Sequence, residues 1–225
     1  MKMKDDSNQI IVDNFSRIYF IGIGGIGMSN LARYFLSKNK KVAGYDRVST
    51  QLTRELEKEG ALIHYTDNID LIPPAFLNKQ STLVIYTPAI SESHKEYTLF
   101  KQKGFKVIKR AQALGEITKL SRAICCAGTH GKTTVSSMIA HILKQSNVDC
   151  NAFLGGILKN YESNLLLSNK SDITVVEADE YDRSFHWLYP WIAIVTSVEP
   201  DHLDIYGDEK SYIESFEKFT ELVRD

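Results

Sequence analysis

Gly128-Thr129-His130-Gly131-Lys132-Thr133-Thr134 is the stretch that decides the fold of the second half of this chain. It follows the apolar run 122–127 and leads into 135–143, where apolar residues are spaced as in a helix. A strand, a glycine loop and a helix in this order form a phosphate-binding loop, because the loop N–H groups and the positive end of the helix dipole face an anion. The stretch therefore predicts a P-loop-type α/β domain.

The residues of this loop indicate a nucleoside triphosphate as the ligand. Lys132 has the reach to contact a terminal phosphate, and the Thr133 hydroxyl is a suitable ligand for the accompanying Mg²⁺. The spacing departs from the common GxxxxGK[ST] pattern, since Cys126 stands where that pattern has its first glycine. A surface turn that contains Gly-Lys-Thr by chance is the alternative, and the flanking strand and helix disfavour it.

A second glycine-rich loop lies near the N-terminus. The segment 22–27, Gly-Ile-Gly-Gly-Ile-Gly, fits the pattern GxGxxG between an apolar strand and a helical pattern. Asp46 ends the next predicted strand, at the position where an acid reads the ribose in dinucleotide sites. NAD, the diphosphate of a nucleotide sugar, and a tight turn without a ligand are the three candidates. We rank the nucleotide sugar above NAD because nothing downstream resembles a hydride-transfer site.

Strand and helix patterns alternate along the chain, which predicts parallel sheets covered by helices. We predict strands over 17–24, 41–46, 61–65, 82–87, 105–109, 124–127, 173–177 and 191–197, and helices over 28–37, 50–60, 111–120 and about 212–223. Each glycine loop opens its own series of elements. We therefore expect a Rossmann-like domain over residues 1–110 and a P-loop-type α/β domain over residues 111–225. The second domain is expected to be incomplete at its C-terminus, because few strands precede the end of the chain.

The composition is that of an ordinary globular protein, with 43% hydrophobic and 24% charged residues. A net charge of -1 gives no reason to expect nucleic acid or a membrane surface as a partner. No run approaches the ~20 apolar residues needed to span a bilayer. Two of the cysteines are adjacent in a predicted buried strand, which argues against a disulfide framework. We expect a cytoplasmic protein, monomeric or weakly dimeric, with Cys125 and Cys126 in the core.

Two polar clusters follow predicted strands of the second domain. Four carboxylates lie within 177–182, at the end of strand 173–177, and Glu-Pro-Asp-His occupies 199–202 after strand 191–197. Because the carboxyl ends of parallel strands meet at the ligand crevice, we expect Glu177 and His202 to lie near the phosphate loop. Glu177 is the better Mg²⁺ candidate, since Mg²⁺ prefers oxygen ligands. A solvated acidic loop and a structural histidine are the alternatives.

Three motifs together resemble the Mur ligases, the ATP-dependent amide-forming enzymes of peptidoglycan precursor synthesis. They are Gly-Thr-His-Gly-Lys-Thr-Thr, Glu-Ala-Asp-Glu-Tyr-Asp and Glu-Pro-Asp-His-Leu-Asp-Ile-Tyr-Gly, in the expected order. The first glycine loop is most similar to the branch that joins L-alanine to the lactyl carboxylate of UDP-N-acetylmuramate. Tyr181 is instead similar to the muropeptide-recycling branch, which attaches a peptide to the same sugar nucleotide and is the runner-up. A hydrolytic P-loop ATPase and a nucleotide-binding module without activity are the non-ligase alternatives.

The resemblance implies an assignment of the site residues. The ATP phosphates would be held by Gly128, Thr129, His130, Gly131, Lys132, Thr133 and Thr134; Mg²⁺ would be held by Thr133, Glu177 and His202; and the catalytic set would be Lys132, Glu177 and His202. The UDP part of the substrate would be held by Gly24, Gly25, Ile26, Gly27 and Met28, with Asp46, His64 and Thr87 nearby.

The resemblance also implies the reaction. The substrates would be UDP-N-acetylmuramate, L-alanine and ATP, and the lactyl carboxylate would be activated as an acyl phosphate. The selection of the amino acid would lie largely in a further part of the enzyme. We therefore expect these 225 residues alone to be folded but inactive.

Overall fold

The boundary between the two series of elements falls after Lys109, where the chain divides into two units. The structure is a computed structural model that describes residues 12–224. Each unit is built around one glycine loop.

The first unit is a parallel sheet with helices in the connections between its strands. Its strands are β1 (Arg17–Ile21), β2 (Lys41–Tyr45), β3 (Leu62–His64), β4 (Thr82–Tyr86) and β5 (Lys106–Lys109), and its helices are α1 (Ile26–Ser37), α2 (Gln51–Lys58) and α3 (Lys95–Gln102). The sheet order is β3-β2-β1-β4-β5, and all of these pairs are parallel. The order changes direction at β1, so the ligand crevice of such a sheet lies beyond the carboxyl ends of β1 and β4. The Rossmann-like prediction is confirmed.

Strand β1 occupies the centre of this sheet because its side chains are apolar on both faces. The four residues from Ile18 to Ile21 are all 0% exposed. Parallel strands covered by helices on both sides require such continuous apolar runs. Helix α2 starts at Thr50, whose hydroxyl accepts the N–H of Thr53 in a capping box. These local signals explain why the sequence pattern located β1 and α2.

The second unit contains the phosphate loop in a mixed sheet. Its strands are β6 (Arg122–Ala127), β7 (Asn151–Leu158), β8 (Ser163–Leu166), β9 (Ile173–Glu177) and β10 (Pro190–Val195), and its helices are α4 (Arg110–Lys119), α5 (Lys132–Gln145), α6 (Leu203–Tyr206) and α7 (Glu209–Thr220). The sheet order is β10-β6-β9-β7-β8. Because β6 lies between β10 and β9, the phosphate loop after β6 meets the segments that follow both of these strands. The P-loop-type prediction is confirmed.

The expectation that both sheets are wholly parallel is wrong at one edge. Strands β7 and β8 pair antiparallel, and neither was predicted. The tight connection between them places Glu162 at a φ of 49°. Gly155 and Gly156 interrupt the apolar pattern of β7, which hides the strand because glycine weakens the strand signal. Helix α3 was also not predicted.

The two adjacent cysteines lie in the core, as expected. Cys125 and Cys126 are both 0% exposed on β6, and burial raises the pKa of the Cys126 thiol to about 11. A thiol with a raised pKa is a poor nucleophile, which fits a packing role. Across residues 12–224, none of the helices combines the length and the apolar character that a bilayer crossing requires.

Candidate functional site

The phosphate loop is shaped by two glycines and anchored by a serine. Gly128 and Gly131 have φ values of 139° and 83°, in the left-handed region that favours glycine. The Thr129 N–H donates to the Ser197 carbonyl at 3.0 Å, and the His130 N–H donates to Ser197 Oγ at 2.9 Å. The first N–H groups of α5 have no acceptor within the helix. Because the N–H groups of Thr129 and His130 are already engaged, the first N–H groups of α5, beginning at Lys132, are the loop donors left for a phosphate.

Lys132 is held by a buried acid that the sequence analysis did not select. Its Nζ donates to the Gly128 carbonyl at 2.6 Å and to Glu180 Oε1 at 2.8 Å. The Glu180 side chain is only 4% exposed, and its Oε2 has no hydrogen-bond partner among the described residues. The third N–H of Lys132 points toward the Thr129 carbonyl at the long distance of 3.5 Å. The ion pair and the two carbonyls fix the ammonium group beside the loop, and this long contact is the one that a phosphate oxygen would replace.

Glu177 and Thr133 come together as expected. The Thr133 hydroxyl donates to Glu177 Oε1 at 2.9 Å, and the Gly155 N–H donates to Glu177 Oε2 at 2.8 Å. Strand β7 therefore holds the carboxylate from one side and helix α5 from the other. A Cβ at Gly155 would lie 2.5 Å from Glu177 Oε1, so only glycine leaves room for this contact.

The donor set at this point suits Mg²⁺. Within residues 12–224 no group of three or more His, Cys, Asp or Glu side chains is arranged to hold a metal. Mg²⁺ does not require such a cage, because it binds through one or two protein oxygens, waters and substrate phosphates. The Thr133 hydroxyl and the Glu177 carboxylate are oxygen ligands beside a phosphate loop. They therefore fit the ion.

His202 lies on the loop after β10, in a strained backbone conformation with a φ of 52°. Its ring meets the Tyr181 ring edge-on at a centroid distance of 5.3 Å. Its Nε2 lies 3.7 Å from Asp201 Oδ2. Strained backbone of this kind occurs often at functional sites. The assignment of His202 as a third Mg²⁺ ligand stays a prediction.

Helix α7 is tied to the phosphate loop through a buried tyrosine. Tyr212 is 0% exposed, and its hydroxyl lies 2.8 Å from Thr129 Oγ1. The same threonine hydroxyl bonds the backbone of Glu199, to the carbonyl at 2.8 Å and from the N–H at 2.9 Å. Thr129 thus joins the loop, the segment after β10 and α7, and its side chain is structural in this arrangement.

The first glycine loop is closed by the acid at the end of β2. Gly24 N–H donates to Asp46 Oδ2 at 2.7 Å, while the Val48 N–H donates to Asp46 Oδ1 at 3.2 Å. Gly25 is the N-cap of α1 and adopts an extended conformation. The loop therefore presents the N-terminus of α1 beyond the carboxyl end of β1, which is a favourable site for a diphosphate.

The other residues expected around this loop lie close to it. The Asp46 N–H donates to the His64 carbonyl at 3.1 Å, and the Thr87 N–H donates to the Ile21 carbonyl at 3.2 Å. The Thr87 side chain packs against Gly22. Met28 is 2% exposed, so its side chain belongs to the core and only its backbone is available to a ligand.

Replacing Gly155 by alanine is expected to lower the affinity of the ATP-bound protein for Mg²⁺. The added Cβ displaces the Glu177 carboxylate, and the loss of such a supporting contact costs about 10–100-fold in metal affinity. Calorimetric titration of Mg²⁺ at a fixed ATP concentration measures this affinity. ATP binding in the presence of a chelator is the control and should not change. An unaltered Mg²⁺ affinity would contradict the role given to Gly155 and Glu177.

The sequence carries partial signals for the site residues that were not predicted from it. Glu180 belongs to the acidic cluster after β9, so its neighbourhood was identified but its pairing with Lys132 was not. The Gly155-Gly156 pair after an apolar run is a signal of close backbone approach. Ser197 and Tyr212 carry no local signal, because their partners lie 67 and 83 residues away.

Comparison with known proteins identifies both halves of the chain. Residues 17–122 match the model described as Mur ligase family, catalytic domain, and residues 126–225 match the Mur ligase middle domain. UDP-N-acetylmuramate–L-alanine ligase from Parabacteroides distasonis is 65% identical over 95% of this chain and 46% of its own length. The ligase of the same name from Phocaeicola vulgatus is 57% identical over the same shares. The chain spans about half the length of these relatives.

Solved structures show the same architecture. UDP-N-acetylmuramate-alanine ligase from Thermotoga maritima is 31% identical with a TM-score of 0.79, over 92% of this chain and 47% of that one. UDP-N-acetylmuramate:L-alanyl-γ-D-glutamyl-meso-diaminopimelate ligase from Neisseria meningitides has a TM-score of 0.81 over 93% of this chain and 69% of that one. At 24% identity, that second likeness supports the fold alone. By its matched domains and its fold, this chain belongs to the Mur ligase family.

Proposed function

We propose that the full-length protein carrying this chain joins L-alanine to the lactyl carboxylate of UDP-N-acetylmuramate at the expense of ATP. The observation that carries the proposal is the arrangement of Lys132, Thr133 and Glu177 around one phosphate loop. The relatives named UDP-N-acetylmuramate–L-alanine ligase support the choice of substrates. Because ATP and this sugar nucleotide are cytoplasmic metabolites in such a reaction, we place the protein in the cytoplasm.

The chemistry requires a group that can hold a transferring phosphoryl. A carboxylate does not condense with an amine in water, because hydroxide is a poor leaving group. In the proposed reaction a lactyl carboxylate oxygen attacks the γ-phosphorus of ATP and ADP leaves, which gives an acyl phosphate. The amine nitrogen of L-alanine then attacks the acyl carbon, phosphate leaves, and the amine gives up a proton to a base. No nucleophilic side chain is needed.

The residues around the phosphate loop supply position and charge for the first step. Lys132 faces the transferring phosphoryl group, and the free N–H groups at the start of α5 bind its oxygens. Thr133 and Glu177 would hold Mg²⁺, with His202 as the proposed third ligand. When bound, the ion would neutralise charge on the β- and γ-phosphates. The buried Glu180 keeps Lys132 in the loop while the site is loaded.

The first unit is proposed to bind the UDP part of the substrate. The N-terminus of α1 offers backbone N–H groups to the diphosphate, over the loop residues 24–28. Asp46, His64 and Thr87 lie around this loop, as described above. NAD satisfies the same loop pattern and is therefore the competing ligand.

Calorimetry of the 225-residue chain tests the proposed substrate. UDP-N-acetylmuramate and UDP are expected to bind, whereas NAD is not. Equal affinity for NAD would overturn the assignment of the first unit. We further expect no ligase activity from these 225 residues alone, since they correspond to about half the length of the named ligases. In the full-length protein, competition between L-alanine and a tripeptide as the acceptor separates the alanine-adding from the recycling activity.

Substitutions at adjacent glycines are expected to separate ligand approach from loop structure. A Cβ at Gly24 would lie 2.8 Å from Asp46 Oδ2, so Gly24→Ala should disrupt the loop itself and lower stability. A Cβ at Gly25 meets nothing of the protein closer than 3.9 Å. Gly25→Val should therefore leave the melting temperature unchanged but weaken UDP binding about tenfold or more, because the branched side chain blocks the diphosphate. Unchanged UDP affinity in Gly25→Val would place the diphosphate elsewhere.

A further inference from the structure

The first unit buries a carboxylate to which the proposed function gives no role. Glu96, in the first turn of α3, is 0% exposed. Its Oε2 accepts a hydrogen bond from the Tyr19 hydroxyl at 2.7 Å, and its Oε1 lies 2.6 Å from His64 Nε2. Burial of a carboxylate is costly unless such partners compensate it. The three side chains therefore form one connected and satisfied group.

The hydrogen bonds in this group fix which nitrogen of His64 faces inward. Burial, together with the nearby Glu96, raises the pKa of the Tyr19 hydroxyl far above its usual range. Tyr19 therefore stays protonated and donates to Glu96. The second carboxylate oxygen lies within hydrogen-bond distance of His64 Nε2, and this contact sets the orientation of the imidazole ring. The other ring nitrogen, Nδ1, points away from Glu96.

Nδ1 of His64 is available to a ligand. The His64 side chain is 13% exposed. Among the described residues, Nδ1 has no hydrogen-bond partner, and the protein does not enclose this atom. It is therefore reached by solvent. In carboxylate–histidine pairs, the carboxylate holds one ring nitrogen, and the other nitrogen contacts the ligand. The His64 ring has this arrangement, with Nε2 held and Nδ1 open.

The position of His64 relates it to the nucleotide loop. It ends β3, and its carbonyl accepts the N–H of Asp46 at 3.1 Å. Both oxygens of Asp46 already accept backbone N–H groups, from Gly24 and Val48. The acid at the ribose-reading position is thus engaged in closing the loop. His64 lies on the strand beside β2, in register with Tyr45, the residue that precedes Asp46.

We propose, on the basis of the proposed UDP-sugar binding by this unit, that Glu96 is a positioning residue that directs His64 Nδ1 to the ribose hydroxyls of the nucleotide. A hydroxyl both donates and accepts, so it pairs with Nδ1 whether or not this nitrogen carries a proton. A phosphate oxygen pairs only with a protonated Nδ1. The ribose is therefore the part of the nucleotide that this arrangement fits in either proton state.

Binding of UDP and of 2′,3′-dideoxyuridine 5′-diphosphate to the 225-residue chain tests the proposal. Glu96→Met keeps the approximate length of the side chain but offers Nε2 no oxygen or nitrogen partner, which releases the ring from its anchor. UDP affinity is expected to fall about tenfold, as for the loss of one good hydrogen bond, while affinity for the dideoxy analogue stays the same. His64→Gln should show the same loss, and the double variant should lose no more.

A matched control and a spectroscopic measurement separate this role from a purely structural one. Thr82→Val removes a hydroxyl that is equally buried in the same sheet and should not change UDP affinity. In ¹⁵N spectra of the wild type, UDP should shift the Nδ1 resonance of His64 more than that of Nε2. If Glu96→Met does not fold, the wild type must still prefer UDP over the dideoxy analogue, and His64→Gln must lose that preference.

The outcomes distinguish this inference from the proposed function. Failure of UDP to bind the wild type overturns the proposed function. Normal UDP binding by the wild type, with Glu96→Met and His64→Gln unaffected, overturns the role of Glu96 alone. Equal weakening of both ligands by Glu96→Met also overturns it, because the contact would then not involve the ribose hydroxyls.

Discussion

Gly128→Ala is expected to weaken Mg²⁺-ATP binding to the full-length protein by at least about a hundredfold, which corresponds to roughly 3 kcal/mol. Two independent effects act at this residue. Its φ of 139° is one that side chains with a Cβ rarely adopt, and such strain costs about 1–3 kcal/mol. The new Cβ would also collide with Thr196 Oγ1 and lie 3.0 Å from the Ser197 N–H nitrogen. The loop must therefore move away from the segment that anchors it.

Gly207→Ala is the matched control for this experiment. Gly207 lies in the same unit and has a φ of 87°, but a Cβ there meets no atom within 4 Å. It should therefore lower the melting temperature through backbone strain while leaving ATP affinity unchanged. Calorimetry of ATP binding and thermal unfolding of both variants give the comparison. Wild-type ATP affinity in Gly128→Ala would show that the anchored shape of the loop is not required for binding.

The parts of the site that the sequence predicted are those encoded by neighbouring residues. A glycine loop between a strand and a helix specifies a phosphate site locally, so the environment of Lys132 and Thr133 followed from the motif. Glu177 followed as well, because residues at the carboxyl ends of parallel strands share one edge of a sheet. The structure places its carboxylate 2.9 Å from the Thr133 hydroxyl.

The parts that escaped prediction depend on partners far away in the chain. The Lys132–Glu180 ion pair joins residues 48 positions apart, and the Tyr19–Glu96 hydrogen bond joins residues 77 positions apart. Each acid is followed or preceded by other polar residues, so periodicity does not distinguish it from a solvated side chain. Only the packing of the strands shows that these two carboxylates are buried. A buried carboxylate with a specific partner was therefore beyond the reach of pattern reasoning.

The β7–β8 hairpin shows how one functional requirement obscures a structural signal. Strand β7 carries Gly155 at the point where its backbone N–H must approach Glu177. A larger residue would strengthen the strand pattern but displace the carboxylate. The same glycine that supports the proposed metal site therefore weakens the local evidence for the strand. Conflict between local propensity and the final structure is expected at functional sites.

Lys132→Ala is expected to reduce the proposed ligase turnover of the full-length protein roughly 10²–10³-fold, as for the removal of one electrostatic group from a transition state. In the proposed reaction the lysine supplies a fixed positive charge at the transferring phosphoryl group, and added Mg²⁺ would not take its place. Lys144→Ala is the matched control. This lysine lies on the same helix and pairs with Asp149 at 2.5 Å, away from the phosphate loop, so its loss should affect stability and not turnover.

Glu177→Ala and His202→Ala are expected to behave differently from Lys132→Ala. Both remove a proposed metal ligand, so part of the lost turnover should return when the Mg²⁺ concentration is raised. The contrast between rescue and no rescue separates a metal ligand from a side chain that faces the phosphate directly. UDP binding should survive all three substitutions, since it is assigned to the first unit. If His202→Ala left both turnover and its Mg²⁺ dependence unchanged, the edge-on contact with Tyr181 would be the role of His202, and the metal would be held by Thr133 and Glu177 without it.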